Sequence, residues 1–297
     1  MRCVVTGGAG FIGSNLVDAL LGRGDEVVVV DDLSTGKREN VADGAQFREV
    51  DIRSAALADA LAGAEVIFHL AAQADVPTSV RRPDFDAEVN VVGSVRVLQA
   101  AGDAHVVFSS TGGAIYGECE RPAREDDPRR PIAPYGVAKL AAEEYLAAWN
   151  RLHGTRHTTL RFGNVYGPRQ EAGLEGGVVA IFLDAMAAGE KTAIFGDGGQ
   201  TRDFVHVDDV VSALLAAPGT SGVFNVGSGA ATTVAELHER CRTVTGDDQP
   251  PRREPAREGD IRHSVLDVSF AERELGWRPQ VGLDEGLRRT WDWIQAS

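Results

Sequence analysis

Two groups of residues in this chain have the types and spacing to do chemistry. Tyr135 and Lys139 follow Pro134 in the run Tyr135-Gly136-Val137-Ala138-Lys139. A proline suits the first turn of a helix, and residues four apart then stand one above the other on a single helix face. A free phenol has a pKa of about 10 and is a poor base at neutral pH. An ammonium one turn away favours the phenolate and moves it toward a working range for proton transfer. Thr111, at the end of an apolar run, adds a hydroxyl able to share a hydrogen bond with a substrate hydroxyl.

The second group is Thr6-Gly7-Gly8-Ala9-Gly10-Phe11-Ile12-Gly13. Glycines at 7, 10 and 13 allow backbone angles and a close approach that a Cβ forbids, and a helix that follows offers unpaired N–H groups to a diphosphate. Asp31 and Asp32 close the next apolar run, where a carboxylate binds ribose hydroxyls. The same charge repels the extra phosphate of NADP, so the site favours NAD, with Lys37 and Arg38 read as solvated loop cations. Ligands of open parallel sheets sit beyond the carboxyl ends of the strands. That rule nominates Asp51-Ile52, Ala71-Ala72-Gln73, Ser110-Thr111 and Gly163-Asn164, although Asp51 alone also reads as a helix cap and Asn164 alone as a turn residue.

The elements that must carry these groups are legible as alternating strands and helices. Short apolar runs at 3–5, 27–30, 46–50, 66–70, 105–109 and 158–162 read as strands, and 27–30 is all valine, as expected of a strand buried on both faces. Helical patterns lie between them, notably at 15–21, 87–101 and 134–153. This is an α/β chain with a Rossmann-type doubly wound parallel sheet. The rhythm loosens after Gly163, with helical signals at 207–217 and 282–295. We expect residues 1–165 to form the dinucleotide-binding domain, part of 203–226 to return to it, and 166–297 to form mainly a smaller C-terminal substrate lobe.

Composition sets limits on partners. Thirty Lys+Arg against 44 Asp+Glu leave a net charge of −14, which argues against nucleic-acid and anionic-membrane partners and requires local cations for any anionic ligand. Cys3, Cys119 and Cys241 are too few and too scattered for a disulfide framework or a thiolate zinc site, and the seven histidines show no metal spacing. No apolar run approaches the ~20 residues of a membrane span, and the start of the chain shows no signal-peptide pattern, so the expected location is cytoplasmic.

The motifs TGGAGFIGSN (6–15), DDLSTG (31–36), HLAAQ (69–73), SSTGGAIYG (109–117), PYGVAK (134–139), RFGNVYGPRQ (161–170), IFGDGGQTRDFVHVDDV (194–210), NVGSG (225–229) and REGDIRHSVLD (257–267) span nearly the whole chain. Together they resemble the extended short-chain dehydrogenase/reductase family, in particular its NAD-dependent nucleotide-sugar epimerases of the UDP-glucose 4-epimerase type. The resemblance implies that Thr111, Tyr135 and Lys139 are catalytic. It implies that NAD is held by Gly7, Gly10, Phe11, Ile12, Gly13, Asp31, Asp32, Ser34, Thr35, Gly36, Asp51, Ile52, Leu70, Ala71, Ala72, Gln73, Asn90 and Ser109, with Tyr135 and Lys139. It places Asn164, Gly177, Val178, Val179, Arg202, Arg257 and Asp260 on a UDP-sugar beside Thr111 and Tyr135. Arg202 and Arg257 supply the forked donors that a diphosphate needs in an acidic protein.

The resemblance also implies a homodimer joined through the 86–101 and 134–153 helices. On the latter, Ala138, Ala141, Tyr145 and Trp149 make one buried stripe, against its own sheet or against a second subunit. Related dehydratases and decarboxylases carry acids beside the catalytic Thr, whereas this chain has Gly112-Gly113-Ala114, so epimerisation is expected. Glu118 and Glu120 read as loop carboxylates. UDP-glucose and UDP-galactose are the first expectation, and a small Ser264 leaves room for N-acetyl forms. UDP-glucuronate is the alternative, its carboxylate met by Arg169 or by Arg262 and His263; a dehydratase or decarboxylase ranks below it.

Overall fold

The computed structural model describes residues 1–173, 177–256 and 261–296. Strands β1 (Arg2–Thr6), β2 (Glu26–Asp31), β3 (Gln46–Glu49), β4 (Val66–His69), β5 (His105–Thr111) and β6 (Thr158–Phe162) are joined at the far edge by Gly222–Val226. The order across this sheet is Gly222–Val226, β6, β5, β4, β1, β2, β3, and every pairing is parallel. The order reverses between β1 and β4, which opens a crevice at their carboxyl ends.

Strand periodicity divides the core between the two faces. Cys3, Val5, Val27, Val29 and Phe68 pack with Leu16 and Leu20 of the helix Phe11–Gly22 and with Val210 and Leu214 of the helix Val207–Ala216. Val4, Val28, Val30, Ile67 and Phe108 face the other way, against Leu57, Leu61, Val97, Leu98, Ala142 and Leu146. A third core, with Val179, Phe182, Leu183, Leu237, Cys241 and Leu287, belongs to the C-terminal helices Val178–Ala187, Val234–Thr245 and Leu283–Ala296. Short strand pairs frame it: Asn164–Tyr166 with Phe204–His206, Ala193–Phe195 with Arg252–Glu254, and Thr201–Arg202 with Thr232–Thr233. No described helix is long and apolar enough to cross a membrane, and no three His, Cys, Asp or Glu among the described residues gather to hold a metal.

Two helices depart from their sequence patterns. The expected helix at 87–101 is a composite of Pro83–Ala87, a wider π turn at Glu88–Gly93, and Ser94–Ala100. The wide turn keeps Asp86, Asn90, Gly93 and Ser94 all inward. Gly93 packs closely there, since a Cβ would lie 2.5 Å from Ile52 Cδ1 and push that side chain aside. The helix Pro134–His153 buries one member of the expected stripe, Ala138, within its own chain. It buries Gly136, Ala138, Lys139, Ala142, Glu143 and Leu146, while Tyr145 stays 48% exposed and Ala141 and Trp149 are half-buried. Two charged side chains, Lys139 and Glu143, are held on this inward face.

Glu143 meets Arg161 of β6, which is only 1% exposed. Arg161 Nε and Nη2 donate to the carboxylate at 3.0 and 2.7 Å, and Nη1 donates to the Tyr116 hydroxyl at 2.6 Å. Glu143→Ala should strand the guanidinium and lower stability by about 3–5 kcal/mol, whereas Glu143→Leu with Arg161→Met should recover most of that loss. Urea denaturation of the single and double variants checks both outcomes.

Candidate active site

The glycine turn fits its place with no space to spare. Gly7 has φ +72°, and a Cβ on it would lie 2.6 Å from the Ala71 amide nitrogen. A Cβ on Gly13 would overlap the Gly7 carbonyl oxygen. Gly10 caps the helix Phe11–Gly22 without a side-chain hydrogen bond, so the first helical N–H groups open toward a cavity of about 570 Å³. Asp31, at the end of β2, is buried, with one oxygen accepting from Ala9 N and the other from Leu33 N, both at 2.9 Å. Burial raises its pKa against the pull of those two bonds. Asp51 closes a turn on Arg53 N at 2.7 Å and takes the Arg53 guanidinium as a fork; that hydrogen-bonded guanidinium lowers its pKa.

Across the crevice, Tyr135 is half-buried and Lys139 is 3% exposed. Lys139 Nζ donates to Ser109 O at 3.0 Å and stands 5.0 Å from the Phe108 ring centre. Behind it His69 is held by Thr6 Oγ1 at 2.8 Å and Ser94 Oγ at 3.0 Å. Burial, and then the Lys139 charge, push the imidazole down to about 3, so it is neutral. Ser110 Oγ is buried on the cavity wall without a protein partner, a polar group that a bound ligand would satisfy. Thr111 Oγ1 and Asn164 Oδ1 flank the opening over Gly113, 4.0 and 3.6 Å from where its Cβ would be.

The cavity gathers most of the residues expected to hold the cofactor. Gly7, Gly10, Phe11, Ile12, Gly13, Asp31, Asp32, Ser34, Thr35, Asp51, Ile52, Leu70, Ala71, Ala72, Gln73, Ser109, Tyr135 and Lys139 all line it. Gly36 and Asn90 do not. Gly36 lies beneath Asp31, where a Cβ would come within 2.9 Å of the carboxylate. Asn90 grips Gln73 from behind, accepting from its N–H at 3.0 Å and donating to its carbonyl at 2.8 Å. The cradle without Cβ atoms, the open helix N-terminus and the orphaned Ser110 hydroxyl together fit a dinucleotide.

Of the residues expected on the substrate, Tyr135 lines this cavity, whereas Asn164, Gly177, Val178, Val179 and Arg202 do not. Asn164 starts a short strand, and Gly177 precedes a helix whose first N–H groups have no side-chain cap. The Val179 side chain belongs to the C-terminal core, so only its backbone is free to meet a ligand. Arg202 donates to Ile261 O at 2.7 Å. Its neighbour Asp203 is a buried knot, accepting from Ser228 N and Oγ at 2.6 Å and from Leu266 N at 3.1 Å. Arg257 and Asp260 lie outside the described residues. Ser264 is buried and donates its N–H to Thr201 O at 3.3 Å.

Sequence reasoning missed Asp75, Thr78 and Arg81, which line the cavity from the helix Val76–Arg81. The signal was available, since Asp75 caps that helix through Thr78 N at 2.7 Å with Pro77 in its first turn. The arginines weighed for a uronate carboxylate are engaged elsewhere. Arg169 pairs with Asp18 at 2.7 Å, and Arg262 forks onto Asp197 at 2.7 and 2.9 Å.

Residues 3–227 match the model of the NAD dependent epimerase/dehydratase family. UDP-glucose 4-epimerase of Mycolicibacterium smegmatis is 48% identical over 304 residues, covering 98% of this chain and 97% of its own. The solved UDP-glucose 4-epimerase of Thermotoga maritima with UDP-glucose superposes with a TM-score of 0.97 at 47% identity, covering 100% of this chain and 99% of that one. The Thermus thermophilus enzyme, solved in complex with NAD, gives 0.93 at 42%, with 100% of both chains covered.

Two outcomes are expected. Asp31→Ala should weaken NAD binding by about 1–3 kcal/mol, the scale of a lost charge-assisted hydrogen bond, measured by titration with NADH. His69 bears on stability. Between about 3 and 6.5 the unfolded chain binds a proton that the folded His69 refuses, so stability falls as pH drops through that window. His69→Gln should flatten the acid limb of the melting-temperature profile between pH 6.5 and 4, by at most ~1.4 kcal/mol per pH unit.

Proposed function

The chain belongs to the NAD dependent epimerase/dehydratase family, and from that premise we propose a reversible inversion at C4 of a UDP-sugar. UDP-glucose and UDP-galactose are the first substrates, converted through a transient 4-keto sugar. The observation that carries this reading is the pairing of Tyr135 and Lys139 on the wall of the dinucleotide cavity, next to a Gly112-Gly113 step that bears no acid. Tyr135 takes the proton of the 4-hydroxyl and later returns it. Lys139, fixed on Ser109 O, lowers the cost of the phenolate. Thr111 hydrogen-bonds the same hydroxyl and shortens the proton path. When bound, NAD supplies a reversible hydride acceptor.

The step after Thr111, Gly112-Gly113-Ala114, carries no acid to promote elimination. A Cβ at Gly112 would lie 2.6 Å from Leu266, and Gly113 leaves open space beside Thr111 and Asn164. Glu118 is occupied by the N–H groups of Arg262 and His263 at 2.7 and 2.8 Å. The sugar therefore turns and takes the hydride back on its other face. Asn164, the N–H groups at Gly177–Val179, Arg202, Arg257 and Asp260 hold the UDP portion. Ser264, small and buried, supports a second reading in which N-acetylated sugars are also accepted.

In this reading residues 1–165, with part of 203–226, hold NAD, and residues 166–297 mainly hold the UDP-sugar. The location is cytoplasmic. Two copies pair through the exposed apolar residues Val92, Val137 and Tyr145 on the Glu88–Gly93 turn and the helix Pro134–His153.

Tyr135→Phe should keep NAD bound and lower kcat by about 10²–10⁴, with the high end expected because hydride transfer must accompany proton removal. Thr111→Ala should be milder, since water replaces one hydrogen bond. Arg202→Ala should raise KM for UDP-glucose more than it lowers kcat. Steady-state assays on UDP-glucose and UDP-galactose measure all three. Mass spectrometry should find product and substrate of equal mass; a lighter product would show that elimination wins.

A further inference from the structure

The segment that crosses from the strand Asn164–Tyr166 toward the C-terminal lobe lies over the dinucleotide helix. Asn15 Nδ2 donates to Pro168 O at 3.2 Å, and Arg169 Nη2 meets Asp18 Oδ2 at 2.7 Å. These contacts place residues 168–169 along one side of the helix Phe11–Gly22. Arg169 holds φ +72°, an angle that favours glycine, so its surroundings impose a conformation with a cost. Its second terminal nitrogen, Nη1, is buried and has no hydrogen-bond partner among the described residues. A buried guanidinium N–H without an acceptor is expensive unless a ligand supplies one.

The surroundings of Arg169 say what that ligand is. Arg169 lines a small recess with Gly10, Phe11 and Thr35, and these three also line the main cavity. Gly10 and Phe11 stand at the uncapped helix N-terminus. The other charges at the recess are mutually satisfied, Lys37 lying against Glu171. Within the main cavity, Arg53 and Arg81 lie against Asp51 and Asp75. We propose that Arg169 is a phosphate ligand of the cofactor, its Nη1 reaching the diphosphate that the helix N-terminus receives. This rests on the reading of the cavity as an NAD site. A guanidinium fork anchored on Asp18 at one nitrogen and on phosphate oxygen at the other gives an acidic protein the local cation that a diphosphate needs. It also makes Arg169 part of the cofactor site.

The test uses the purified enzyme loaded with NADH and chased with excess NAD, following loss of bound-NADH fluorescence. Arg169→Gln should release NADH at least about tenfold faster, the scale of one lost charge-assisted bond. Arg169→Lys should fall between it and the unaltered protein. Asp18→Asn, which removes the ion pair but keeps the guanidinium, should stay within about twofold of the unaltered protein. Unchanged release in both Arg169 variants overturns the proposal. So does equal leakage from Asp18→Asn and Arg169→Gln, which would make the arginine a strap. NADPH held as firmly as NADH would assign the guanidinium to a ribose phosphate and also overturn it. Failure of the unaltered protein to hold any NADH would instead defeat the NAD reading itself.

Discussion

The active-site half of this molecule depends on one buried ion pair. Removing a guanidinium and a carboxylate from water costs several kcal/mol per ion, so such a pair persists only where its geometry is complete. Arg161 and Glu143 meet that condition. Besides the carboxylate, Arg161 reaches Tyr116 OH and Glu125 O, and the Tyr116 hydroxyl donates to Asn225 Oδ1 at 2.8 Å. Burial pushes the Tyr116 phenol up to about 12, so it remains a donor. Four pieces of chain are fixed at once: β6, the helix Pro134–His153, the loop after Thr111, and the edge strand Gly222–Val226. Tyr135, Lys139 and Glu143 recur every four residues along one helix. Anchoring the last of them sets the rotation that presents the first two to the cofactor cavity.

What was legible in the sequence was what local physics decides. The valine run of β2, the glycine spacing before the first helix and the proline ahead of Tyr135 each owe their form to near neighbours. The cofactor cavity follows from these, because a parallel sheet with that strand order has its crevice in one place. What was not legible depends on contacts between distant residues. Glu143 looks like a solvent-facing charge until Arg161 is placed beside it. The π turn at Glu88–Gly93 answers to Ile52 and Gln73, far away in the chain. Arg169 looked free for a substrate carboxylate because nothing nearby in sequence announces Asp18, and Asp203 gave no sign of the knot it ties.

The same distinction explains how the two lobes are joined. The wall around Ser264 is sewn to both. Glu118 accepts the N–H groups of Arg262 and His263 from the Rossmann side, and Cys119 N donates to His263 O at 3.2 Å. From the other side Thr201 N donates to Arg262 O at 2.9 Å. A carboxylate that a sequence assigns to a loop is thus the clasp between the loop following β5 and the segment around Ser264. An acid used in this way has both carboxylate oxygens engaged by backbone N–H groups.

The position of the strand Gly222–Val226 has a consequence for how the molecule is made. β6 pairs on one side with β5, but its other edge is covered only by residues 222–226, and the three small strand pairs of the C-terminal lobe intervene in part. During synthesis the ribosome must add some sixty residues after β6 before its open edge finds a partner. For that interval Leu160 and Phe162 lie along an unpaired parallel edge, the kind of surface that recruits stray strands. Parallel pairings at such separation form slowly, since loop closure precedes any gain from contact. Arg161 sits in the middle of this waiting edge with its carboxylate partner, Glu143, already made, so β6 can dock on its helix before the edge is covered. The pair that orders the finished site thereby also holds the unfinished one.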